Sequence, residues 1–275
     1  MVIDFHTHIY PDRIAERTIQ TLISSAPAVD KAYTKGTLSA LLESMASAGI
    51  DKSVILPVAT RKGQFDTINK FALNINMNHK NLVSFGGIHP DDDDIPEKIR
   101  FFKENGFKGV KIHPDYTDTF IYDERYIKII KECAEQGLKI VTHAGADPAF
   151  DTIHCHPKKA REILDNIRSA TGEPFMIFAH LGGIRVHEDV KKYLLGSNCY
   201  LDISCSFSEL GSWCDTTAKE VTDVIKMHGA DKILFATDSP WNDQKAYLEH
   251  FRALPDISDT EKDLILHRNA EKILS

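Results

Sequence analysis

Paired cysteines are missing from this 275-residue chain. Its five cysteines are odd in number, and no two of them are spaced as Cys-x-x-Cys. A disulfide framework or a thiolate zinc site needs cysteines in regular pairs, so we expect neither. Free thiols are typical of the reducing cytosol, and we therefore expect a cytoplasmic protein. The cysteines are Cys133, Cys155, Cys199, Cys205 and Cys214.

Long apolar runs and basic runs are missing as well. No apolar run approaches the ~18 residues that a membrane-spanning helix requires. The net charge is -7 and the pI is about 6.0, whereas a nucleic-acid surface carries a basic stripe. We therefore expect a small-molecule substrate, with no membrane or nucleic-acid partner. The acidic run at residues 91–94, followed by Pro96, predicts a solvated loop that caps a helix.

Eight short apolar runs alternate with segments of helical periodicity. Eight β–α units in a chain of this length are typical of one (β/α)8 barrel, which takes about 250 residues. The sequence therefore predicts the α/β class, with one TIM-barrel domain over residues 1–275. The predicted strands are 2–5, 53–57, 82–86, 109–112, 139–142, 175–179, 199–203 and 232–236. The predicted barrel helices are 38–48, 66–79, 96–105, 124–136, 157–170, 185–195 and 216–228.

A doubly wound open sheet is the alternative arrangement of such units. That fold usually carries a glycine-rich phosphate loop after its first strand, where this chain has His6-Thr7-His8. We also predict an extra N-terminal helix, a loop that lies over the barrel mouth and two closing helices. These are residues 13–24, residues 25–36, and residues 244–252 and 260–274.

The first predicted strand ends in two histidines, His6 and His8. Side chains two apart on a strand point the same way, so both imidazoles can face one point. Two imidazoles aimed at one point are the beginning of a metal site. We expect no cleaved leader, because its removal would take these histidines with it.

Polar residues also follow most of the other predicted strands at the same end. Active sites of (β/α)8 barrels lie at the carboxyl ends of the strands, so we expect these side chains to meet. In chain order they are His6, His8, His89, Lys111, His113, His143, His180, Asp202, Ser204 and Asp238.

Five segments stand in the order found in the amidohydrolase superfamily. The chain most resembles the amidohydrolase 2 branch, which includes the aminocarboxymuconate-semialdehyde decarboxylase type. The resemblance spans nearly the whole chain and includes the closing segment at residues 267–274. The five segments are Asp-Phe-His-Thr-His, Gly-Val-Lys-Ile-His-Pro, Thr-His-Ala-Gly, Ala-His-Leu-Gly-Gly and Ala-Thr-Asp-Ser-Pro.

The resemblance implies that four residues bind one divalent metal per chain: His6, His8, His143 and Asp238. Three imidazoles and a carboxylate suit Zn2+, while Fe2+, Mn2+ and Co2+ also fit. It further implies that His180 and Asp238 are catalytic: His180 is an acid/base near the metal, and Asp238 takes a proton from the attacking water. A structural histidine or a direct metal ligand is the alternative for His180.

The residues expected to contact the substrate are Lys111, His113, His89 and Trp241. In binuclear relatives a lysine on the fourth strand is carbamylated and bridges two metals, which is the alternative for Lys111. Loop capping is the alternative for His89 and His113, and packing is the alternative for Trp241. We expect Asp202 to orient a neighbouring ligand. For His154-Cys155-His156, substrate contact is preferred over a second metal site.

The leading hypothesis for function is a metal-dependent hydrolase, in which metal-activated water attacks an ester, lactone or amide. The same residues can also serve nonoxidative decarboxylation of a small carboxylic acid. The compact chain favours hydrolysis, because decarboxylases of the branch tend to carry larger insertions. A TatD-like phosphoesterase or nuclease is disfavoured, since that type usually has glutamate where this chain has Lys111. A non-catalytic metal-binding protein is a further alternative, and relatives are often homodimers.

Overall fold

Nine short parallel strands form the centre of the computed structural model, which describes residues 1–26, 28–211 and 214–275. The strands run in chain order around the molecule, in one set from β1 to β3 and another from β4 to β9. They are β1 (Ile3–Thr7), β2 (Lys52–Ile55), β3 (Leu82–Ser84), β4 (Gly86–Gly87), β5 (Gly109–Ile112), β6 (Lys139–Thr142), β7 (Met176–Phe178), β8 (Tyr200–Asp202) and β9 (Ile233–Leu234).

The two sets of strands together close an eight-stranded barrel, which confirms the predicted fold class. Strands β3 and β4 are the two halves of the predicted third strand, separated only at Phe85, whose N–H donates to the Ile55 carbonyl oxygen at 2.9 Å. At the other junction, the chain after β9 pairs with β1. The Phe5 N–H donates to the Phe235 carbonyl oxygen, and the Asp238 N–H donates to that of His6, both at 2.8 Å.

The third strand is broken where a helix approaches it very closely. A Cβ atom on Gly86 would lie 2.1 Å from the ring of Phe102, which is impossible without movement of the buried ring. Glycine therefore allows the helix that carries Phe102 to pack directly against the strand. The sequence predicted this strand as continuous because its apolar pattern does not show the close approach.

Helices cover the outside of the barrel near the predicted positions. They are α1 (Asp12–Ser25), α2 (Leu38–Ala48), α3 (Phe65–Asn78), α4 (Ile95–Glu104), α5 (Glu124–Gln136), α6 (Pro157–Asn166), α7 (His187–Tyr193), α8 (Ala218–His228), α9 (Gln244–Arg252), α10 (Asp259–Asp263) and α11 (Asn269–Leu274). Within the described residues, no helix has the length and hydropathy of a membrane span. The predicted mouth loop at residues 25–36 includes residue 27, which lies outside the described residues.

Two details of the predicted helices are wrong. The closing helix predicted at 260–274 is interrupted by a π-helical turn, Leu264–Arg268. There the Ile265 carbonyl oxygen accepts the N–H of Phe235 from the barrel. In the acidic run, Asp94 stands at the start of α4 with φ of 54°, but its side chain makes no capping bond. Instead Asp92 is buried and accepts the N–H groups of Gly63 and His89, both at 3.2 Å.

Alternate residues of the strands form an apolar cluster of their own. Val141 and Ile177 belong to it, whereas their neighbours Ile140 and Met176 pack in the larger cluster that includes the helices. His143 is two residues after Val141, and Asp238 is two residues after Ala236 of the same inner cluster. The polar side chains of the carboxyl ends thus continue the inward-facing rows, as strand alternation requires.

One buried histidine outside the barrel mouth joins α8 to β8. His228 accepts the N–H of Gly196 at Nδ1 (3.2 Å) and donates from Nε2 to the Cys199 carbonyl oxygen (2.9 Å). The first bond needs a lone pair on Nδ1 and therefore requires the neutral imidazole. Burial accordingly lowers the pKa of His228 from 6.5 to about 4.

We predict that His228 makes the fold sensitive to mild acid. Between its unfolded pKa of 6.5 and its folded pKa of about 4, only the unfolded chain binds the proton, so stability falls as the pH drops. From about pH 7 to about pH 5, wild type should lose about 2 kcal/mol more unfolding free energy than His228→Gln. Urea unfolding measures both losses. A partly exposed histidine changed in the same way, His79→Gln, should keep the wild-type loss, and equal losses in His228→Gln and wild type would contradict the prediction.

Candidate metal centre

His6 and His8 meet at the end of β1 with their lone pairs facing each other. His6 Nδ1 lies 2.9 Å from Asp202 Oδ2, and His8 Nδ1 lies 2.8 Å from the Leu56 carbonyl oxygen. Both partners accept hydrogen bonds, so each Nδ1 carries the hydrogen and each Nε2 keeps a lone pair. The two Nε2 atoms are nevertheless only 3.1 Å apart. The sequence prediction that these imidazoles face one point is confirmed.

The strand geometry behind this meeting is irregular. The pairing of β1 with β2 changes register between Asp4 and Thr7. Phe5 packs in the inner apolar cluster, while the next residue, His6, lines the cavity at the barrel mouth. Regular alternation would send neighbouring residues to opposite faces, so the register change is what lets both face inward.

Asp238 brings a third acceptor to the same point. Its Oδ1 lies 3.1 Å from His8 Nε2 and 3.5 Å from His6 Nε2. Burial disfavours the ionised carboxylate, but the imidazoles beside it hold the pKa of Asp238 well below its usual range. Burial and the neighbouring Lys111 in turn lower the pKa of His6, which disfavours a proton there. Two imidazole nitrogens and an ionised carboxylate oxygen therefore lie together at a point where a cation would be stabilised.

His143 and His180 form a second pair of facing lone pairs. His143 Nε2 lies 3.3 Å from the Ala146 carbonyl oxygen, and His180 Nδ1 lies 2.9 Å from Ser204 Oγ. The Ser204 hydroxyl donates to Asp202, so it can only accept from His180. The remaining nitrogens, His143 Nδ1 and His180 Nε2, are 3.0 Å apart, and in these tautomers both present lone pairs.

The donor set fits a divalent transition metal. His6, His8 and Asp238 offer ligand atoms that all lie within 4.8 Å of one another. Two imidazole nitrogens and a carboxylate oxygen leave positions for another ligand and for substrate, as catalytic zinc sites do. His143 lies beside this group through His180, whose ring centroid is 5.3 Å from that of His6. Of the four predicted ligands, His6, His8 and Asp238 thus converge directly, and His143 is adjacent to them.

A second cluster of possible ligands consists of His113, His143 and Asp147. The two imidazoles in it are stacked, with centroids 4.3 Å apart and an angle of 14° between their planes. Lone pairs of stacked rings run parallel and do not converge on one ion. Burial lowers the pKa of His113 well below 6.5, so a neutral imidazole lines the cavity here. This cluster is therefore a poorer metal site than His6, His8 and Asp238.

Lys111 is the buried cation of the site. Its side chain is 1% exposed and borders the cavity, and burial lowers its pKa to about 8. It has no hydrogen bond or ion pair with any residue in the described ranges. Trp241 also borders the cavity, and its N–H donates to the Asp238 carbonyl oxygen at 2.8 Å. Both residues thus border the cavity, and their contact with a substrate stays a prediction.

The structure does not bring His89 into the cavity. Its Nδ1 accepts the N–H of Asp91 at 3.1 Å, so it shapes the loop before α4. The His154-Cys155-His156 segment also does not form a metal site in the described structure. His154 lies 3.0 Å from Asp115 Oδ1 and 3.1 Å from Asp118 Oδ1, whereas His156 faces Asp189 at 3.2 Å. The two imidazoles therefore have separate partners.

Sequence reasoning missed Cys205, whose thiol contacts the carboxylate of Asp238, a candidate metal ligand. Its thiol donates to Asp238 Oδ2 at 3.1 Å, which leaves Oδ1 towards the histidines. The only sequence signal is its position next to Ser204, after a barrel strand. Cys205, His180 and Asp238 all have left-handed backbones, with φ of 47°, 58° and 65°. Such conformations cost of order 1–3 kcal/mol each and are concentrated at functional sites.

A cavity of about 590 Å³ opens above these residues. Its floor contains the candidate metal ligands His6, His8 and Asp238, together with Lys111 and His113. Its two walls are α1 and the region from β2 to α3. The loop after α1 contributes Val29, as expected for a loop over the mouth. The main wall residues are Ile9, Ile14, Thr18, Leu22, Val58, Thr67, Ile68 and Phe71.

The family model described as amidohydrolase matches residues 3–275. No curated protein sequence matches the chain significantly. Among solved structures, an uncharacterized TIM-barrel protein from Bordetella bronchiseptica aligns with a TM-score of 0.72 at 18% identity, over 99% of this chain and 98% of that one.

Two further solved structures have the same fold. A 5-carboxyvanillate decarboxylase from Novosphingobium aromaticivorans, complexed with manganese and a nitrobenzoic acid, has a TM-score of 0.70 at 14% identity, over 100% of this chain and 96% of that one. A probable 2-pyrone-4,6-dicarboxylic acid hydrolase from Acinetobacter baumannii, with citric acid bound, has a TM-score of 0.65 at 14% identity, over 99% and 98%. At these identities the comparison establishes the fold.

We predict about one transition-metal ion per chain, held mainly by His6, His8 and Asp238. Mass-spectrometric metal analysis of the purified protein should find it in wild type and a strongly reduced amount in Asp238→Asn, which removes the anionic ligand. Asp147→Asn changes the carboxylate of the stacked cluster, which consists of His113, His143 and Asp147. This variant should keep the metal. Loss in Asp147→Asn with retention in Asp238→Asn would place the ion in the stacked cluster instead.

Proposed function

Because this chain belongs to the amidohydrolase family, we propose that it is a metal-dependent hydrolase. Its substrate is a small molecule, and the bond that breaks is an ester, lactone or amide. The observation that carries this proposal is the convergence of two imidazole nitrogens and a carboxylate oxygen, from His6, His8 and Asp238, within 3.1–3.5 Å of one another. Such a group is stable around a cation, and it lies on the floor of an open cavity.

The proposed ligands are His6, His8, His143 and Asp238, and we favour Zn2+ with Mn2+, Fe2+ and Co2+ as alternatives. A divalent ion in this position supplies a Lewis acid for a substrate oxygen and lowers the pKa of water towards about 7. The protein residues then have to orient the substrate and move protons.

His180 is the proposed acid/base. Its Nδ1–H is held on Ser204, which leaves a lone pair on Nε2, 3.0 Å from His143 Nδ1. It can therefore accept a proton from the attacking water and return it to the leaving group. Asp238 takes the smaller part in this proton transfer, because its Oδ2 already accepts the Cys205 thiol.

Nonoxidative decarboxylation of a small carboxylic acid is the second candidate. Chain length no longer argues against it, because the carboxyvanillate decarboxylase structure is covered over 96% of its length. The buried amine of Lys111 and the apolar cavity walls also suit an acid whose carboxylate is held in a dry pocket. The two candidates share their ligands and differ in the product.

We predict that metal-loaded wild type will release an acid from at least one ester, lactone or amide in a panel that also contains aromatic carboxylic acids. A pH indicator detects hydrolysis, and a carbon dioxide assay detects decarboxylation. Chelation should abolish turnover, and added Zn2+ or Mn2+ should restore it. Carbon dioxide release without hydrolysis would replace the first candidate by the second.

His180→Asn should lower kcat by roughly 10²–10⁴-fold, the usual contribution of a positioned acid/base. Its metal content should stay at the wild-type level. His89→Asn is the matched control, because His89 is a buried histidine outside the cavity, and it should keep kcat within about twofold. Turnover that survives both chelation and His180→Asn would refute the proposed mechanism.

A further inference from the structure

Lys111 is buried beside the candidate metal centre, and no other described residue makes a hydrogen bond or ion pair with its amine. It is the third residue of β5, and its neighbours Val110 and Ile112 pack in the outer apolar cluster. Its own side chain is therefore directed inward, where it borders the cavity at 1% exposure. The charge of the amine therefore faces the cavity, where an anion that enters can accept a hydrogen bond from it.

The carboxylates nearest to Lys111 are already engaged. Asp202 accepts the His6 ring, the backbone N–H of His180 and the Ser204 hydroxyl. Asp238 faces His6 and His8 with one oxygen and accepts the Cys205 thiol with the other. Neither carboxylate makes an ion pair with Lys111 in the described structure. The missing acceptor has to come from what enters the cavity.

The space above Lys111 is a groove with two largely apolar walls. Ile14, Thr18 and Leu22, four residues apart on α1, form one wall. Ile68 and Phe71 of α3 belong to the other wall. Ile14 is 43% exposed at the open end, so an apolar body in the groove would cover it. Burial of such a body removes apolar surface from water and is therefore favourable.

We propose that Lys111 forms an anion subsite and that the substrate is an acid with an apolar body. Its carboxylate accepts from the Lys111 Nζ at the floor, and its aliphatic or aromatic body extends between α1 and α3. This inference rests on the proposed function for the position of the reacting bond, which lies next to His6, His8 and Asp238. The anion subsite itself needs no metal.

The test uses the intact protein in its metal-free form, so that carboxylates cannot bind a metal instead. The probes are octanoate and 3-phenylpropionate, each compared with its neutral alcohol by isothermal titration calorimetry. Wild type should bind each acid more tightly than the matched alcohol. Lys111→Met keeps the length of the side chain without the charge. It should weaken acid binding about tenfold to a hundredfold, as expected for a charged hydrogen bond, and leave alcohol binding within about twofold.

Two controls separate the parts of the inference. Ile14→Ser, at the exposed end of the groove, should weaken the acid and the alcohol by the same factor. Lys62→Met, which changes a cation at the rim that already pairs with Asp93 at 2.8 Å, should change neither. Lys111→Met should also raise the Tm of the unliganded protein, because an unpartnered buried amine is removed. A folding defect is thereby distinguished from a lost subsite.

Equal binding of the acids by wild type and Lys111→Met would overturn the anion subsite. Wild type that binds acids no better than alcohols would overturn it too. An intact mass about 44 Da above the sequence mass, lost on acidification and absent in Lys111→Met, would replace the free amine by a carbamate. The proposed function can fail while the anion subsite stands. In that case the protein carries no metal and turns over no substrate, but acid binding by the metal-free protein still depends on Lys111.

Discussion

The barrel mouth is organised around one electrostatic constraint, which is that imidazole nitrogens and a carboxylate oxygen converge in a buried place. His6, His8 and Asp238 bring two nitrogens and an oxygen within 3.1–3.5 Å of one another. His143 and His180 repeat the arrangement at 3.0 Å. Like partial charges at these distances are unfavourable in a buried site unless a cation lies among them. The barrel therefore holds the side chains in an arrangement that suits a bound cation.

The hydrogen-bond partners of the candidate ligands determine which nitrogen of each imidazole faces the cluster. Asp202 is fully buried and accepts from His6, from the backbone of His180 and from Ser204. It thereby links the ends of β1, β7 and β8. The Leu56 carbonyl oxygen accepts from His8 Nδ1 and so orients that ring. Each of these bonds selects one tautomer, and the tautomer decides whether the inner nitrogen can bind a metal or only share a proton.

Several unfavourable features of the chain lie in the same place. His180, Cys205 and Asp238 have left-handed backbones, and Lys111 is buried with no hydrogen bond or ion pair to another described residue. Left-handed backbones also occur in loops away from the site, at Asp94, Asp118 and Asp256. Strain and unsatisfied polarity at one end of a regular barrel are expected where binding of metal and substrate supplies the missing interactions.

The sequence by itself determined the barrel, the bounds of several helices and the end of the barrel at which the polar residues meet. It could do so because hydrophobic periodicity is local and parallel strands all end on one side. Only the tertiary structure decided which imidazoles pair, that His89 stays outside the cavity and that Lys111 has no partner. The bonds that orient His8 and His6 join residues 48 and 196 positions apart. A local pattern carries no information about such contacts, because they exist only once the chain has closed on itself.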